Sequence, residues 1–468
     1  MLSAVLKAHG HEVKLLHINN ERAIPFKKEP ILRMVKDFQP DLVGMSATTF
    51  EFDSANVIAK WLKDEGITIP IILGGIHATI EPDDLWDSNF DGFCIGEGEI
   101  PLLSLINNLG LSLWTATPGF WFKDGKCKFM NPILPYVTDL NSLPFHDFDV
   151  INTPDLLDFR EGWISISFSR GCPFNCSFCA NPLLRKISGD NKHYCRVRTP
   201  EIAISELLYL IMKFPQIKCI NLDDDLLMMR KEWMLTFCKL YKEHIFEPRH
   251  IEFILNCRVD TLDDDIAKIL KESGCRELKI GVESGDPTIR NGILKKRVTD
   301  EQIINAFDLT HKYNLNTTAY LIMGIPGETA ETMEKTFTFL RIIRPTLTRV
   351  AFLQPYRGTE IYDECVRQEL LPAKHIQNWH EESPLILKTL SSTDLIMYKF
   401  LLPWHLNADL DGYAEAAKKY QYMSYEEFRQ KIPELIREDA ELSKKQKGPH
   451  FRYFPKNRDY IEYYRPGK

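Results

Sequence analysis

Short apolar runs alternate with amphipathic stretches through the first 110 residues. Runs at 12–18 (EVKLLHI), 41–47 (DLVGMSA), 69–75 (IPIILGG) and 91–96 (DGFCIG) predict strands. A 3.6-residue periodicity over 29–38 and 52–65 predicts helices between them. Strands apolar on both faces and separated by helices form parallel sheets covered on both sides. The strand ends carry Gly74-Gly75 and Gly96-Glu97-Gly98-Glu99, and ligands of such sheets sit at the carboxyl ends of strands. LSAVLKAHG opens the chain as a helix with Gly10 as its C-cap. A doubly wound domain ordinarily has a strand and loop before that helix. The expected sheet therefore lacks its first strand, or its start is truncated.

Residues 117–160 are irregular, marked by Pro118, Pro132, Pro135, Pro144 and Pro154, with one hairpin turning at Asp124-Gly125. From 162 the alternation restarts. Strands are predicted at 163–169, 217–223, 251–257, 277–283, 317–324 and 349–355, and helices at 200–213, 231–245, 262–273, 300–313 and 328–343. Six βα repeats predict an open, partial (β/α)6 version of a TIM-type barrel, with its site at the carboxyl ends of the strands. Residues 357–468 read as a helical tail, in which Trp379, His380, Trp404 and His405 are expected to pack a core rather than line a substrate pocket. The expected division is 1–116, a connector 117–160, a barrel 161–356 and a helical region 357–468.

Charge narrows the class. With 58 basic and 65 acidic residues the net charge is -7, which disfavours a general nucleic-acid binder. No apolar run reaches the roughly 20 residues that span a bilayer, and the opening residues do not read as a secretion signal. A soluble cytoplasmic protein without a membrane span is expected. Of eleven cysteines, eight lie singly, whereas Cys172, Cys176 and Cys179 are crowded together. In a reducing compartment such crowding points to metal or redox chemistry.

The crowded segment, Ser169-Arg-Gly-Cys172-Pro-Phe-Asn-Cys176-Ser-Phe-Cys179, follows the first barrel strand with spacing C-x3-C-x2-C. Three thiolates on one loop can hold three irons of a [4Fe–4S] cube and leave the fourth open to a ligand. Structural zinc, completed by Cys195 or His193, is the weaker alternative, because closed zinc sites usually pair two C-x2-C elements.

This loop, with Phe178 before its last cysteine, resembles the radical S-adenosylmethionine superfamily. The resemblance implies that the open iron chelates S-adenosylmethionine and that reductive cleavage yields a 5′-deoxyadenosyl radical. It assigns Asp223 or Asp224 to the methionine amino group, although acidic helix capping would explain them equally well. It places Glu283, in Gly281-Val-Glu283-Ser284, at the ribose hydroxyls, with a structural ion pair as the alternative. Met323, Gly324 and Ile325 would pack on adenine. Arg258 could meet the carboxylate of S-adenosylmethionine, or be a surface arginine. Pro355-Tyr-Arg-Gly358-Thr359 closes the sixth strand as in this subgroup.

The amino-terminal motifs, Asp41-Leu-Val-Gly44-Met-Ser46, Gly74-Gly75-Ile-His77-Ala-Thr79 and Gly96-Glu97-Gly98-Glu99, resemble the Rossmann-like cobalamin-binding domain of B12-dependent members. The resemblance puts Ser46, Gly74, Gly75, His77, Gly96, Glu97 and Gly98 at cobalamin. No D-x-H-x-x-G loop occurs, so His77 is expected to be structural or near the corrin rather than a cobalt ligand. The implied activity is methyl transfer from cobalamin to an unactivated carbon or phosphorus of a small molecule, with an electron donor such as flavodoxin or ferredoxin. Alternatives are a tetrapyrrole-type cyclase or rearranging enzyme and a non-catalytic cofactor-binding accessory protein. No residue is singled out as a general acid or base.

Overall fold

The computed structural model describes residues 1–18, 26–111, 114–190, 192–372, 383–407 and, with interruptions, 412–441. The chain folds into two compact units. The first comprises residues 1–164 with 168–173 and 180–217, and the second 165–167 with 174–179 and 218 onward.

The first unit holds a five-stranded sheet in the order β1 (Val43–Ser46), β2 (Ile71–Gly74), β3 (Gly92–Cys94), β4 (Phe120–Asp124) and β5 (Cys127–Met130). The first three strands run parallel, and β4 and β5 add an antiparallel hairpin to β3. Alternate residues of β2 explain its unbroken apolar run. Ile71 and Leu73 pack with Ile31, Ile58 and Leu62 of helices Lys28–Phe38 and Phe52–Asp64, while Ile72 joins Leu105, Phe120 and Phe122. Both faces of the sheet are thus covered, as a parallel ladder requires. The hairpin read in the connector belongs to this sheet.

The expected strand over 12–18 does not form. Residues 11–17 have no regular ladder, and β1 ends the sheet order among the described residues. Leu16 and Ile18 still pack on the core. Apart from a single bridge at Ile18, the alternating pattern there reflects one-sided packing, with Leu15 exposed.

The second sheet runs in the order β13-β12-β11-β10-β9-β6, with β6 at Trp163–Ile166, β9 at Cys219–Leu222, β10 at Glu252–Cys257, β11 at Cys275–Glu283, β12 at Asn316–Met323 and β13 at Leu347–Phe352. Between β6 and β9 lies a short antiparallel ladder of β7 (Ser169–Arg170) and β8 (Arg196–Val197). Pairing is parallel from β9 through β13, as expected for a partial barrel. The helices start where side chains satisfy free N–H groups. Asp263 caps Asp264–Glu272, and Thr299 and Thr329 form capping boxes on Asp300–Lys312 and Ala330–Ile343. The helix read over 231–245 is regular to Tyr241 and then widens into a π-helical turn, Lys242–Phe246.

In the tail, helix Ser392–Leu406 buries Trp404 and His405. The His405 ring stacks 4.5 Å from that of Phe337. Trp379 and His380 lie outside the described residues.

Candidate functional site

The cysteine loop begins with a sterically fixed turn. Gly171 has φ +87°, and a Cβ there would sit 2.5 Å from the Tyr194 carbonyl oxygen. Only glycine fits that conformation and approach. Cys172, Cys176 and Cys179 are of intermediate exposure and form no disulfide. Ser177, buried between them, secures the loop: its N–H donates to Leu294 O, its hydroxyl to Ile293 O, and its carbonyl accepts from Ile361 N. Among the described residues no three His, Cys, Asp or Glu side chains converge as a metal site. The loop supplies three thiol donors and no carboxylate or imidazole, a set that suits an iron–sulfur cluster. His193, a possible zinc ligand, pairs with Asp190 at 2.7 Å instead.

Two cations face this loop within the second unit. The Arg258 guanidinium lies 3.8 Å from the ring centre of Phe174, donates to Lys296 O at 2.6 Å and pairs with Asp260 at 2.8 Å. It is buried, not a surface arginine. Burial pushes the Cys176 thiol pKa up, while Lys296 and Arg258 pull it back down. Phe178 is half-buried on the loop itself.

The strand ends carry polar groups that sequence reasoning largely missed. Lys279, almost buried on β11, donates to Asn221 Oδ1 at 2.8 Å and lies 3.0 Å from Asp223 Oδ1. Asn221 in turn donates to Ser165. Asp223 is exposed and Asp224 buried, so the acidic run splits into two environments. Lys296 meets Glu283 at 2.5 Å. A lysine between Leu278 and Ile280 in a parallel strand was the available signal for Lys279. Nothing local distinguished Lys296 in the basic run 295–297.

Met323 and Ile325 are buried, with Gly324 between them at φ +81°. One oxygen of Glu328 accepts from Gly324 N at 2.7 Å and Ile325 N at 3.2 Å. Among the described residues no cation pairs with this carboxyl group, and burial raises its pKa to about 7.

In the first unit, Ser46 is exposed at the end of β1 and lines a cavity of about 660 Å³ with Gly44, Met45, Phe26 and Ile58. Gly74 ends β2, and Gly75 follows with φ +91°; a Cβ on Gly75 would meet Ala47 O and Ser46 Oγ, each at 2.8 Å. His77 is buried, its ring stacked 3.9 Å from Phe52, with Nε2 3.4 Å from Asp84. The ring of Tyr136 covers Gly96, and Gly98 packs on Leu2. Glu97 pairs with Arg196 at 2.8 Å and Arg170 at 3.1 Å, and Glu99 with Arg170 at 2.6 Å. These carboxylates are therefore engaged by the β7–β8 ladder. Burial would raise the pKa of Glu99, but the hydrogen bond and charge of Arg170 hold it below the usual value.

Residues 166–340 match the family model of the Radical SAM superfamily, and residues 1–106 that of the B12 binding domain. An uncharacterized methyltransferase of Pyrococcus horikoshii is 28% identical over 375 residues, 79% of this chain and 78% of its own length. The anaerobic magnesium-protoporphyrin IX monomethyl ester cyclase of Rubrivivax gelatinosus is 26% identical over 72% of this chain, which spans 60% of that enzyme. The radical S-adenosylmethionine methyltransferase TsrM from Kitasatospora setae shares the fold, with TM-score 0.64 and 18% identity over 78% of this chain and 72% of that one. A second TsrM structure contains cobalamin and a [4Fe-4S] cluster.

Proposed function

We infer that this chain, which belongs to the cobalamin-binding subgroup of the radical S-adenosylmethionine superfamily, is a methyltransferase acting on an unactivated carbon or phosphorus centre of a small molecule. The observation that carries this reading is one chain bearing both a three-thiol loop rooted at Gly171 and a B12-binding region. When bound, the cluster, S-adenosylmethionine and cobalamin supply a 5′-deoxyadenosyl radical and the methyl group.

The chain's own residues bind and orient. Cys172, Cys176 and Cys179 would hold three irons, and Phe178 would shield them. Asp223, kept in place by Lys279, and the buried Asp224 are candidates for the methionine amino group. Arg258 is fixed against Phe174, where it would meet a carboxylate. Glu283 is held by Lys296 through Oε1, and its carboxyl group suits a ribose hydroxyl. Met323, Gly324 and Ile325 would flank adenine. In the amino-terminal region, Ser46, Gly74, Gly75, Gly96 and Gly98 would approach cobalamin through small side chains and backbone, with His77 beneath them. Glu97 serves the arginines of β7 and β8 in this reading. Residues 1–116 would carry cobalamin and 161–356 the radical chemistry, joined by 117–160 and followed by the helical region 357–468. A flavodoxin- or ferredoxin-type donor in the cytoplasm would supply electrons.

Anaerobic reconstitution tests the reading. One [4Fe–4S] cluster per chain is expected, together with dithionite-dependent cleavage of S-adenosylmethionine. Retention of the cluster after Cys172→Ala, Cys176→Ala and Cys179→Ala together would overturn it. The Rubrivivax relative motivates a second reading, a ring-forming cyclase. Product mass separates the two, since methyl transfer adds one carbon and cyclisation removes hydrogens or adds oxygen.

A further inference from the structure

Among the buried polar groups of the second unit, one pair has the marks of a built site. Glu283 ends β11 with φ +64°, a left-handed conformation unusual for a residue with a side chain. The ladder to β12 shifts register between Gly281 and Glu283, so a bulge re-aims this side chain. The Lys296 Nζ then lies 2.5 Å from Glu283 Oε1, with side-chain exposures of only 9% and 10%. A Cβ on Gly281 would fall on the Glu283 carboxylate and 2.6 Å from Lys296 Nζ. The strand therefore gives up a side chain to admit the pair. Backbone strain, a bulge, a glycine beside the pair and a buried charge pair converge on the orientation of one carboxylate.

A buried ion pair seldom adds much net stability, because desolvation offsets attraction. Removing one partner of such a pair is by contrast costly, because it leaves the other buried without its counter-charge. The Lys296 ammonium donates to Oε1 and so fixes the direction in which the carboxyl group points. The lysine also has a second anchor, since its carbonyl accepts from Arg258 Nη2. Its backbone is thus tied to the guanidinium that stacks on the cysteine loop.

We propose that Lys296 is a positioning residue that keeps the Glu283 carboxyl group aimed at the ribose hydroxyls of S-adenosylmethionine. This rests on the ribose role given to Glu283 above. Lys296 itself touches neither the nucleoside nor the reacting atoms. It acts through the carboxylate, and it belongs to this site by contact and not by sequence motif.

Binding measurements on the anaerobically reconstituted full chain test this. The probes are S-adenosylmethionine and its 2′-deoxyribose and 3′-deoxyribose analogues, measured by equilibrium dialysis. Lys296→Met is expected to weaken S-adenosylmethionine binding about 10- to 100-fold, the range of a charge-assisted hydrogen bond. It should also erase discrimination against at least one deoxy analogue, while Lys296→Arg restores both. In a Glu283→Gln background the Lys296→Met change should add no further loss. Full discrimination by Lys296→Met, alongside loss of it in Glu283→Gln, would overturn the proposal and leave the ribose role standing. Unchanged binding in Glu283→Gln would overturn the ribose role itself. Should Lys296→Met fail to fold, Lys296→Gln is read against the same criteria.

Discussion

Arg170 Nη2 sits 2.6 Å from Glu99 Oε1, two residues before Cys172. The root of the cysteine loop is thus tied to a glycine-rich motif 71 residues upstream. Glu99 is nearly buried, whereas the Arg170 side chain is 27% exposed. Glu99→Gln keeps the shape and removes the charge, and should cost about 1–3 kcal/mol. The loss should appear as a lower denaturant midpoint and a reduced iron content after reconstitution. An unchanged midpoint with full iron loading would show that the contact does not matter.

Gly171→Ala isolates the turn from the ion pairs. The new Cβ would require a left-handed conformation and collide with Tyr194. Iron and sulfide incorporation should fall severalfold, while the far-ultraviolet circular dichroism of the apo-protein stays near that of the parent. Normal loading would mean that the loop can re-root itself elsewhere.

Two buried groups of the second unit push stability in opposite directions with pH. Burial raises Glu328 to about 7, so the native state holds a proton that the unfolded chain releases near 4.5. Its contribution therefore falls as pH rises from about 4.5 to 7, by up to about 3 kcal/mol. Burial lowers the pKa of His405 from 6.5 to about 4. The unfolded chain then binds the extra proton, and stability rises with pH between about 4 and 6.5 by a similar amount. The two trends partly cancel. Glu328→Gln should unmask a rising stability profile between pH 4.5 and 6.5, and His405→Phe a falling one up to pH 7. Urea midpoints across this range provide the check, and parallel profiles for all three proteins would refute both assignments.

Lys279 offers a fourth test. Its ammonium bridges Asn221 and Asp223, so Lys279→Met leaves Asp223 without its cation. If Asp223 receives the methionine amino group, binding of S-adenosylmethionine should weaken about tenfold or more. S-Adenosylhomocysteine, which keeps that amino group, should weaken in parallel. Unchanged binding of both would remove Lys279 from the site.

The strand–helix alternation was legible because burial on both faces of a parallel sheet leaves continuous apolar runs, as in Ile71–Leu73. The cysteine loop was legible because its donors are adjacent in sequence. Partners far apart were not. Arg196 and Glu97 are 99 residues apart, and no local pattern announces that the glutamates of Gly96-Glu97-Gly98-Glu99 are taken by arginines of β7 and β8. The Lys279–Asn221 and Lys296–Glu283 contacts escaped notice for the same reason. The run at 12–18 erred the other way: its pattern is that of a strand, but packing on one side satisfied Leu16 and Ile18 without a ladder.

The left-handed backbone at Glu283 sets fitness for folding against fitness for binding at one position. A residue with a side chain costs about 1–3 kcal/mol in such a conformation, and glycine would relieve it. Glycine at 283 combined with an apolar residue at 296 would also remove a buried charge pair. Selection for thermal tolerance alone should therefore drift toward that combination and yield sturdier proteins that have lost their grip on the nucleoside.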